Sequence, residues 1–140
     1  MLFGWKRHGV GRFSKEGEAA LALAREEAIR FNNDYVGAEH LLLGLLRQSN
    51  PGTTRLLQPA GVSNYALQSQ LQNVLCHGKE PVGTEIRLAS RVTKILRIAT
   101  REAMASGQGD IEPEHLLRGI IIEGHSIAAR LLSLSGLKSK

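Results

Sequence analysis

The sequence predicts an all-α protein made of two similar halves, and three observations support this prediction. Phe, Tyr and Trp make up only 4% of the chain, and the apolar residues are mainly Leu, Ile, Ala and Val, which suits helix packing better than a β-sandwich. Apolar residues recur at spacings of three and four, and no segment shows the alternation of β-branched residues that is typical of a strand. The motif E-H-L-L-x-G occurs twice, at residues 39–44 and 114–119.

The similarity between the two halves extends well beyond this motif. Residues 14–62 align without a gap on residues 89–137, and about a quarter of the aligned positions are identical. The identities fall in the first helix, in the E-H-L-L-x-G motif and in the segment R-L-L-x-x-x-G. Chance similarity between two amphipathic helices would not hold this register through the intervening loops. The chain therefore contains an internal duplication.

The first repeat is predicted to contain four helices. Each follows a residue that is common at helix N-caps, and three of them continue with apolar residues at helical spacing. The predicted helices span residues 15–31, 38–47, 51–59 and 64–76, after caps at Ser14, Gly37, Asn50 and Ser63. The fourth helix is expected to turn Leu67, Leu71, Val74 and Leu75 toward the core.

The second repeat is predicted to contain three helices, at residues 88–106, 113–123 and 126–135. No counterpart of the fourth helix follows, so apolar surface is expected near Leu131, Leu132 and Leu134, open to a partner or a second copy. The expected architecture is two pseudo-symmetric four-helix repeats packed as one domain, with the last helix missing. The predicted divisions are an extension at 1–12, a domain at 13–140, repeats at about 14–77 and 88–137, and a linker at 78–87.

Composition excludes several classes of protein. The single cysteine, Cys76, rules out an intrachain disulfide and a thiolate metal cluster. No apolar run approaches the ~20 residues that cross a bilayer, and the N-terminus lacks the apolar core of a secretory signal. The net charge of +5 is compatible with nucleic acid, an acidic protein or another anionic group, and it selects none of them.

Each Glu-His pair is predicted to lie in the first turn of a helix. Gly37 and Ala38 would be the cap and first position, so Glu39 is expected to meet free backbone N–H groups and the positive end of the helix dipole. Glu114 follows Glu112 and Pro113 in the same way. The histidines, His40 and His115, are interpreted as structural side chains that are partly buried and hydrogen-bonded near the junction of two helices.

Metal and catalytic sites are not indicated. The histidines show no ligand spacing and no H-E-x-x-H motif occurs, so no metal site is predicted. A nucleophile elbow and a phosphate-binding loop are also absent from the sequence, so no enzyme activity and no cofactor are expected. A second hypothesis is nucleic-acid binding by the basic helix at residues 87–101, since Arg87, Arg91, Lys94 and Arg101 recur on one side of it with Arg97 close by.

The doubled motif resembles a known family. GAEHLLLGLL with TTRLLQPAG, and EPEHLLRGII with AARLLSLSG, are similar to the two repeats of the Clp N-terminal domain, and GRFSKEGEAALALAREEAIRFNNDYVG resembles the start of its ClpC-type form. The resemblance covers residues 11–137. It implies a non-catalytic module that receives substrates or adaptor proteins for a Clp ATPase and its protease.

The resemblance also implies a ligand. In ClpC-type domains the glutamate of the E-H pair helps to bind the guanidinium of phosphorylated arginine, which by position points to Glu39 and Glu114. Two departures from the family pattern favour the first of these sites. The threonine common before the glutamate is replaced by Ala38 and Pro113, and the usual glycine cap of the second repeat is replaced by Glu112.

No ATPase module follows the second repeat in this sequence, so a free-standing Clp N-domain protein is expected, of the plastid ClpT type or a bacterial stand-alone form. The alternative is that the sequence is part of a longer Clp ATPase. The expected partners are Clp ATPase or protease subunits, substrate proteins or adaptors, and a second copy is a further candidate. The bacterial cytoplasm is the expected compartment, with the plastid stroma as the alternative.

Overall fold

The computed structural model describes residues 9–61, 63–83 and 85–136, and these residues are predominantly helical. The helices are α1 (Lys15–Arg30), α2 (Ala38–Gln48), α3 (Pro51–Leu57), α4 (Asn64–Val74), α5 (Ser90–Ala105), α6 (Pro113–Glu123) and α7 (Ile127–Leu134). A short 3-10 turn, Gln58–Ala60, continues α3. The all-α prediction is confirmed, and each helix begins within two residues of its predicted first residue.

Three of the predicted caps form because a short polar side chain accepts a free N–H group in the first turn of the helix. The Ser14 hydroxyl accepts from the Gly17 amide at 3.0 Å, and the Asn50 side chain accepts from Gly52 at 2.9 Å. Ser63 acts in the same way at the start of α4. Local chemistry alone therefore places these three helix starts.

Backbone geometry records the duplication independently of residue identity. Three pairs of residues, each 75 positions apart, adopt the left-handed conformation: Asn32 with Gly107, Ser49 with Gly124, and Gly61 with Gly136. In the first two pairs a non-glycine residue in repeat 1 matches a glycine in repeat 2. The chain thus turns in the same way at equivalent positions although the residues differ.

Two short strands correct the prediction that no strand would form. β1 (Tyr35–Val36) pairs in parallel with β2 (Arg87–Leu88), and an isolated parallel bridge joins Phe13 to Ile111. These pairings are equivalent under the 75-residue repeat, and both join one repeat to the other. Two-residue strands are too short for alternation to reveal them. β2 also begins inside the segment that was predicted to be linker.

The glycine of E-H-L-L-x-G lies where helices cross. A Cβ on Gly44 would lie 2.7 Å from the Ala24 nitrogen and 2.8 Å from the Ala20 oxygen of α1. A Cβ on Gly119 would lie 2.8 Å from the Ile95 oxygen of α5. The absent side chain therefore lets α2 approach α1, and α6 approach α5, at backbone distance. These two helix pairs make the largest contacts of the fold.

Two expectations about apolar burial need correction. Leu67 and Leu71 of α4 are fully buried and Leu75, the residue after the helix, is half-buried, but Val74 at the end of the helix is 42% exposed. In α7, Leu132 is fully buried and Leu131 is partly covered, which leaves only Leu134 as a strongly exposed leucine of that group. The predicted apolar surface on α7 is therefore smaller than expected.

A buried ion pair joins Glu27, near the C-terminal end of α1, to Arg47, near the C-terminal end of α2. Glu27 is 1% exposed, and its Oε2 accepts from Arg47 Nη1 at 2.9 Å and from the more exposed Arg30 at 3.5 Å. The equivalent of Arg47 in repeat 2 is Ile122, so this pair is a feature of the first repeat only. A buried carboxylate depends on such partners because it has lost its hydration.

Replacing Arg47 with methionine is expected to lower the free energy of unfolding by about 2 kcal/mol, because among the described residues Glu27 then keeps only Arg30 as a charged partner. Chemical denaturation measures the change. Arg55→Met on the exposed face of α3 is the matched control, and it should change stability by less than about 0.5 kcal/mol. Equal stability of the two variants would contradict this role of Arg47.

None of the described helices is both long and apolar enough to cross a lipid bilayer.

Candidate functional site

The glutamate of each E-H pair reaches across to the other repeat. Glu39 Oε2 accepts a hydrogen bond from the Ala128 amide in the first turn of α7, at 3.2 Å. The Glu114 carboxylate lies directly against Gly52 in the first turn of α3, where a Cβ on residue 52 would collide with Oε1. Each carboxylate thus meets the N-terminus of the third helix in the opposite repeat. From the sequence, each carboxylate was predicted to contact only the free N–H groups of its own helix.

This exchange follows from the way the repeats interlock. α2 packs on α7 and α3 packs on α6, just as the strand pairings join one repeat to the other. A carboxylate is favourable at a helix N-terminus, where free N–H groups carry a partial positive charge. Glu39 therefore shares the α7 terminus with Ser126, whose hydroxyl accepts from the next amide, Ala129, at 3.0 Å.

Tyr35 completes the surroundings of Glu39. A Cβ on Gly37 would lie 3.4 Å from Glu39 Oε1 and 3.4 Å from Tyr35 Cε2, so the carboxylate and the ring border the same glycine. Tyr35 is 37% exposed, and Glu39 is half-buried. A carboxylate next to an open aromatic ring suits a guanidinium, which can pair with one and stack on the other. Tyr35 was not among the predicted ligand-binding residues. Its place two residues before the Gly37 cap could have indicated that its ring lies near Glu39.

Tyr35 also lines an open groove of about 550 Å³. The groove lies between residues 32–35 at the end of α1 and residues 79–83 and 85 of the connecting segment. Three carboxylates, Asp34, Glu80 and Glu85, line it against the single ammonium of Lys79. Its charge therefore favours a cationic occupant over an anionic one.

Gly37 and Ala38, the other predicted ligand-binding residues, are both buried. The Gly37 amide donates to His40 Nδ1 at 2.9 Å, so this N–H is already occupied. Ala38 presents no exposed side chain beside Glu39. In this structure the two residues shape the site through the backbone, and Glu39 with Tyr35 forms its accessible part.

Both motif histidines are buried at helix starts. His40 is fully buried and His115 is 2% exposed. In each, Nδ1 accepts from the amide of the N-cap residue at 2.9 Å, Gly37 in one repeat and Glu112 in the other. Because His40 Nδ1 is an acceptor, Nε2 carries the proton and donates to Asn33 Oδ1 at 2.8 Å.

Burial lowers the pKa of His40 from 6.5 to about 4, because the charged ring would lose its hydration. His40 is therefore neutral at pH 7. Both of its ring nitrogens are also occupied by protein groups. This arrangement braces the helix start and leaves no nitrogen available to a substrate or a metal.

The equivalent position in repeat 2 has different surroundings. Tyr35 is replaced by Asp110, whose Oδ1 lies 3.3 Å from Arg12 Nε, and Gly37 is replaced by Glu112. Glu112 Oε1 accepts from the Ser14 hydroxyl at 2.9 Å, so its charge is turned toward the start of α1. Glu114 therefore lacks both the aromatic ring and the glycine that border Glu39.

The remaining predicted features show no comparable site. The residues described contain no group of three or more His, Cys, Asp and Glu side chains that could hold a metal ion. The basic residues considered for nucleic acid are all exposed: Arg87, Arg91, Lys94, Arg97 and Arg101. Arg91, however, lies 3.5 Å from Glu123 and donates to the His125 carbonyl at 3.0 Å, which interrupts the stripe.

Comparison with known proteins places the sequence in a family. Residues 12–135 match the Clp repeat N-terminal domain. The chain is 35% identical over 127 residues to the negative regulator of genetic competence ClpC/MecB of Bacillus subtilis, and 34% identical over 127 residues to the chaperone protein ClpB of Oceanobacillus iheyensis. These matches cover 91% of this chain and 16% of each relative.

Solved structures agree at the level of the fold. The N-terminal domain of the chaperone ClpD from Arabidopsis thaliana superposes with a TM-score of 0.69 at 21% identity, covering 91% of this chain and 89% of the other. The Hsp104 N-terminal domain from Candida albicans gives a TM-score of 0.71 at 14% identity, with coverages of 91% and 83%. The family match over residues 12–135, the doubled motif and the interlocked helical repeats lead to one conclusion: this chain belongs to the Clp repeat N-terminal domain family.

Proposed function

We propose that the chain is a non-catalytic module of the Clp chaperone-protease system that binds substrate proteins or adaptors and so modulates protein degradation. The observation that carries this proposal is the half-buried Glu39 carboxylate, held against the α7 N-terminus and bordered by the open ring of Tyr35. Among the described residues, neither Glu39 nor Glu114 forms an ion pair within 4 Å, whereas Glu27, Asp110 and Glu123 do. A carboxylate in this state can accept a cation from a bound protein.

The proposed ligand is an arginine side chain of a bound protein, phosphorylated on its guanidinium. The planar guanidinium matches the Glu39 carboxylate and can stack on Tyr35. The phosphoryl group would lie toward the start of α2, where the helix dipole favours negative charge. The acidic groove beside Tyr35 would accept flanking residues of the same peptide when these are basic.

Glu39 is the stronger of the two proposed sites. Glu114 has no aromatic neighbour at the position equivalent to Tyr35, where the chain has Asp110 instead. A carboxylate at that position does not stack on a guanidinium, and it repels a phosphoryl group. Repeat 1 is therefore proposed as the principal ligand site and repeat 2 as a weaker one.

The partners of the whole machine are also part of the proposal. The chain spans 16% of the length of the Bacillus subtilis relative and 15% of an ATP-dependent Clp protease ATP-binding subunit of Staphylococcus aureus. Clp ATPase or protease subunits are therefore proposed as partners by analogy with these relatives. The bacterial sources of these relatives favour the cytoplasm as the compartment.

The ligand is tested by titrating the protein with a fluorescent peptide that carries one phosphoarginine. Glu39→Gln is expected to weaken binding at least about tenfold, the loss of a charge-assisted pair, and Glu114→Gln by about twofold. Glu18→Gln, on the exposed face of α1, is the matched control. Thermal melting of each variant checks that the loss is not caused by unfolding, since Glu39 also caps α7. An equal affinity of the Glu39 and Glu18 variants would show that another surface binds the peptide.

A further inference from the structure

Asn33 joins the start of α2 to the segment that follows α4. This asparagine lies three residues after the end of α1 and is 8% exposed. Its Oδ1 accepts a hydrogen bond from His40 Nε2 at 2.8 Å, and its Nδ2 donates to the Cys76 carbonyl at 3.1 Å. Cys76 lies two residues after the end of α4 and 43 positions beyond Asn33. One buried amide thus connects two segments that are far apart in the sequence.

The chemistry of the groups fixes the direction of these bonds. The Cys76 carbonyl can only accept, so the Asn33 amide nitrogen faces it and Oδ1 faces His40. His40 must then donate from Nε2, which leaves Nδ1 to accept from the Gly37 amide at 2.9 Å. Because burial lowers the pKa of His40, the ring is neutral at pH 7 and keeps these roles. A continuous series of hydrogen bonds therefore runs from the α2 cap to Cys76.

Residues 76–78 are attached to the end of α1 at two further points. The Gly78 amide donates to the Phe31 carbonyl at 2.8 Å, and the Asn32 side chain donates to the Gly78 carbonyl at 3.3 Å. A Cβ on Gly78 would collide with the Asn32 carbonyl oxygen, so this close approach requires glycine. The chain then continues into residues 79–83, which line the acidic groove. The position of this groove wall therefore depends on the contacts that residues 76–78 make.

The histidine of repeat 2 has a different partner. His115 Nε2 lies 3.3 Å from the Ser106 hydroxyl, which donates to the Ala103 carbonyl at 2.8 Å. Both of these residues belong to the C-terminal end of α5 or its cap. The residue equivalent to Asn33 is Gln108, which is exposed. His115 is therefore tied to the neighbouring helix, and the bridge through an asparagine is a feature of the first repeat.

The bridge holds two parts of the proposed ligand site in a fixed arrangement. One part is the Glu39 carboxylate with the Tyr35 ring, at the start of α2. The other part is the groove, where Asp34 and Glu80 are among the lining carboxylates. A ligand that contacts both parts binds more tightly when they are already in place, because less conformational freedom is lost on binding. A loosened groove wall would reduce this gain and leave the Glu39 contacts intact.

We propose that Asn33 is a positioning residue that makes the Glu39 site selective for phosphoarginine within a basic segment of the bound protein. This inference rests on the function proposed above. Asn33 holds residues 76–78, and through them the groove wall, in a fixed position relative to Glu39. The guanidinium and the ammonium groups of flanking lysines can then bind at the same time. Asn33 acts through the groove wall and not through the Glu39 contact with the arginine.

Two peptides test this selectivity. Both contain one phosphoarginine, flanked on each side by two lysines in the first peptide and by two serines in the second. The wild type is expected to prefer the lysine peptide by at least about fivefold. Asn33→Ala should reduce this preference to less than about twofold, with little change in affinity for the serine peptide. Gln108→Ala, at the equivalent position of repeat 2, is the matched control and should keep the preference of the wild type.

Amide hydrogen exchange of the free protein tests the bridge without any peptide. Asn33→Ala should speed exchange of the Gly78 amide by at least about tenfold, because the groove wall loses one of its attachments. Asn33→Asp keeps an acceptor for His40 but places a carboxylate against the Cys76 carbonyl, so it should speed Gly78 exchange in the same way. The Ala128 amide, which is bonded to Glu39, is the internal reference and should be unchanged.

The outcomes separate this inference from the function on which it rests. If the wild type binds neither peptide, the proposed function fails, and the selectivity fails with it. If it binds both but Asn33→Ala keeps the lysine preference, the positioning role alone is wrong. Equal acceleration of the Gly78 and Ala128 amides would show that Asn33 only stabilises the fold as a whole. Unchanged exchange at Gly78 would show that Asn33 does not hold the groove wall.

Discussion

Replacing Gly44 with valine is expected to destabilise the domain by about 3 kcal/mol, at the upper end of the range for overpacked cores. A Cβ at this position would lie 2.7 Å from the Ala24 nitrogen, 2.8 Å from the Ala20 oxygen and 3.1 Å from the Ala24 Cα. All three atoms belong to the backbone of α1, so no side-chain rotation relieves the contact. α1 and α2 must move apart, and the leucines between them lose packing.

Two other glycines provide comparisons for this prediction. Gly119 has the same role between α5 and α6, but one of its nearest atoms, Ile95 Cγ2 at 3.0 Å, is a side-chain atom that can move. Gly83 has no positive φ, and a Cβ on this residue would meet no atom within 4 Å. Denaturation of the three valine variants should therefore rank the loss of stability as Gly44, then Gly119, then Gly83 near zero. A Gly44 variant as stable as the Gly83 variant would contradict the close helix crossing.

The sequence predicted what depends on neighbouring residues. Ser14, Asn50 and Ser63 cap helices through atoms two or three residues away, so pattern alone located these helix starts. The left-handed turns at Gly124 and Gly136 also follow from local chemistry. The domain limits at residues 13–140 stay a prediction, since they depend on residues outside the described ranges.

Contacts between the repeats were not predictable in the same way. The Glu39 carboxylate meets Ala128, and Val36 pairs with Leu88, because the two repeats exchange elements. No periodicity within one repeat carries this information. The burial of Leu132 was missed for the same reason, since the adjacent leucines of α7 look alike until the packing of α2 on α7 is known.

These contacts explain why the residues of the E-H-L-L-x-G motif occur together. Its leucines fill the core, its glycine permits the helix crossing, and its histidine braces the helix start from within the repeat. Its glutamate alone leaves the repeat and reaches the surface between the two halves. The Glu39 carboxylate is therefore positioned by both repeats, through its own helix and through the Ala128 amide of α7.

The stability of the domain is expected to fall by about 3 kcal/mol between pH 6.5 and pH 4 through His40 alone. The pKa of His40 is lowered from 6.5 to about 4 in the folded protein. Between these values the unfolded chain binds a proton at this residue and the folded chain does not. A falling pH therefore favours the unfolded state, and the full contribution of the neutral ring is present only above about pH 6.5.

Urea denaturation from pH 7.5 to pH 4 measures this dependence. His40→Gln should be less stable than the wild type near pH 7.5 because the N-cap contact is altered. The part of the slope due to His40 should disappear, so the difference in stability should shrink as the pH falls toward 4. His125→Gln, at an exposed histidine, serves as the control and should retain the slope of the wild type. Parallel curves for the His40 variant and the wild type would show that the ring titrates normally. The buried bond between His40 Nε2 and Asn33 would then have to open readily, and the brace at the start of α2 would be weaker than its geometry indicates.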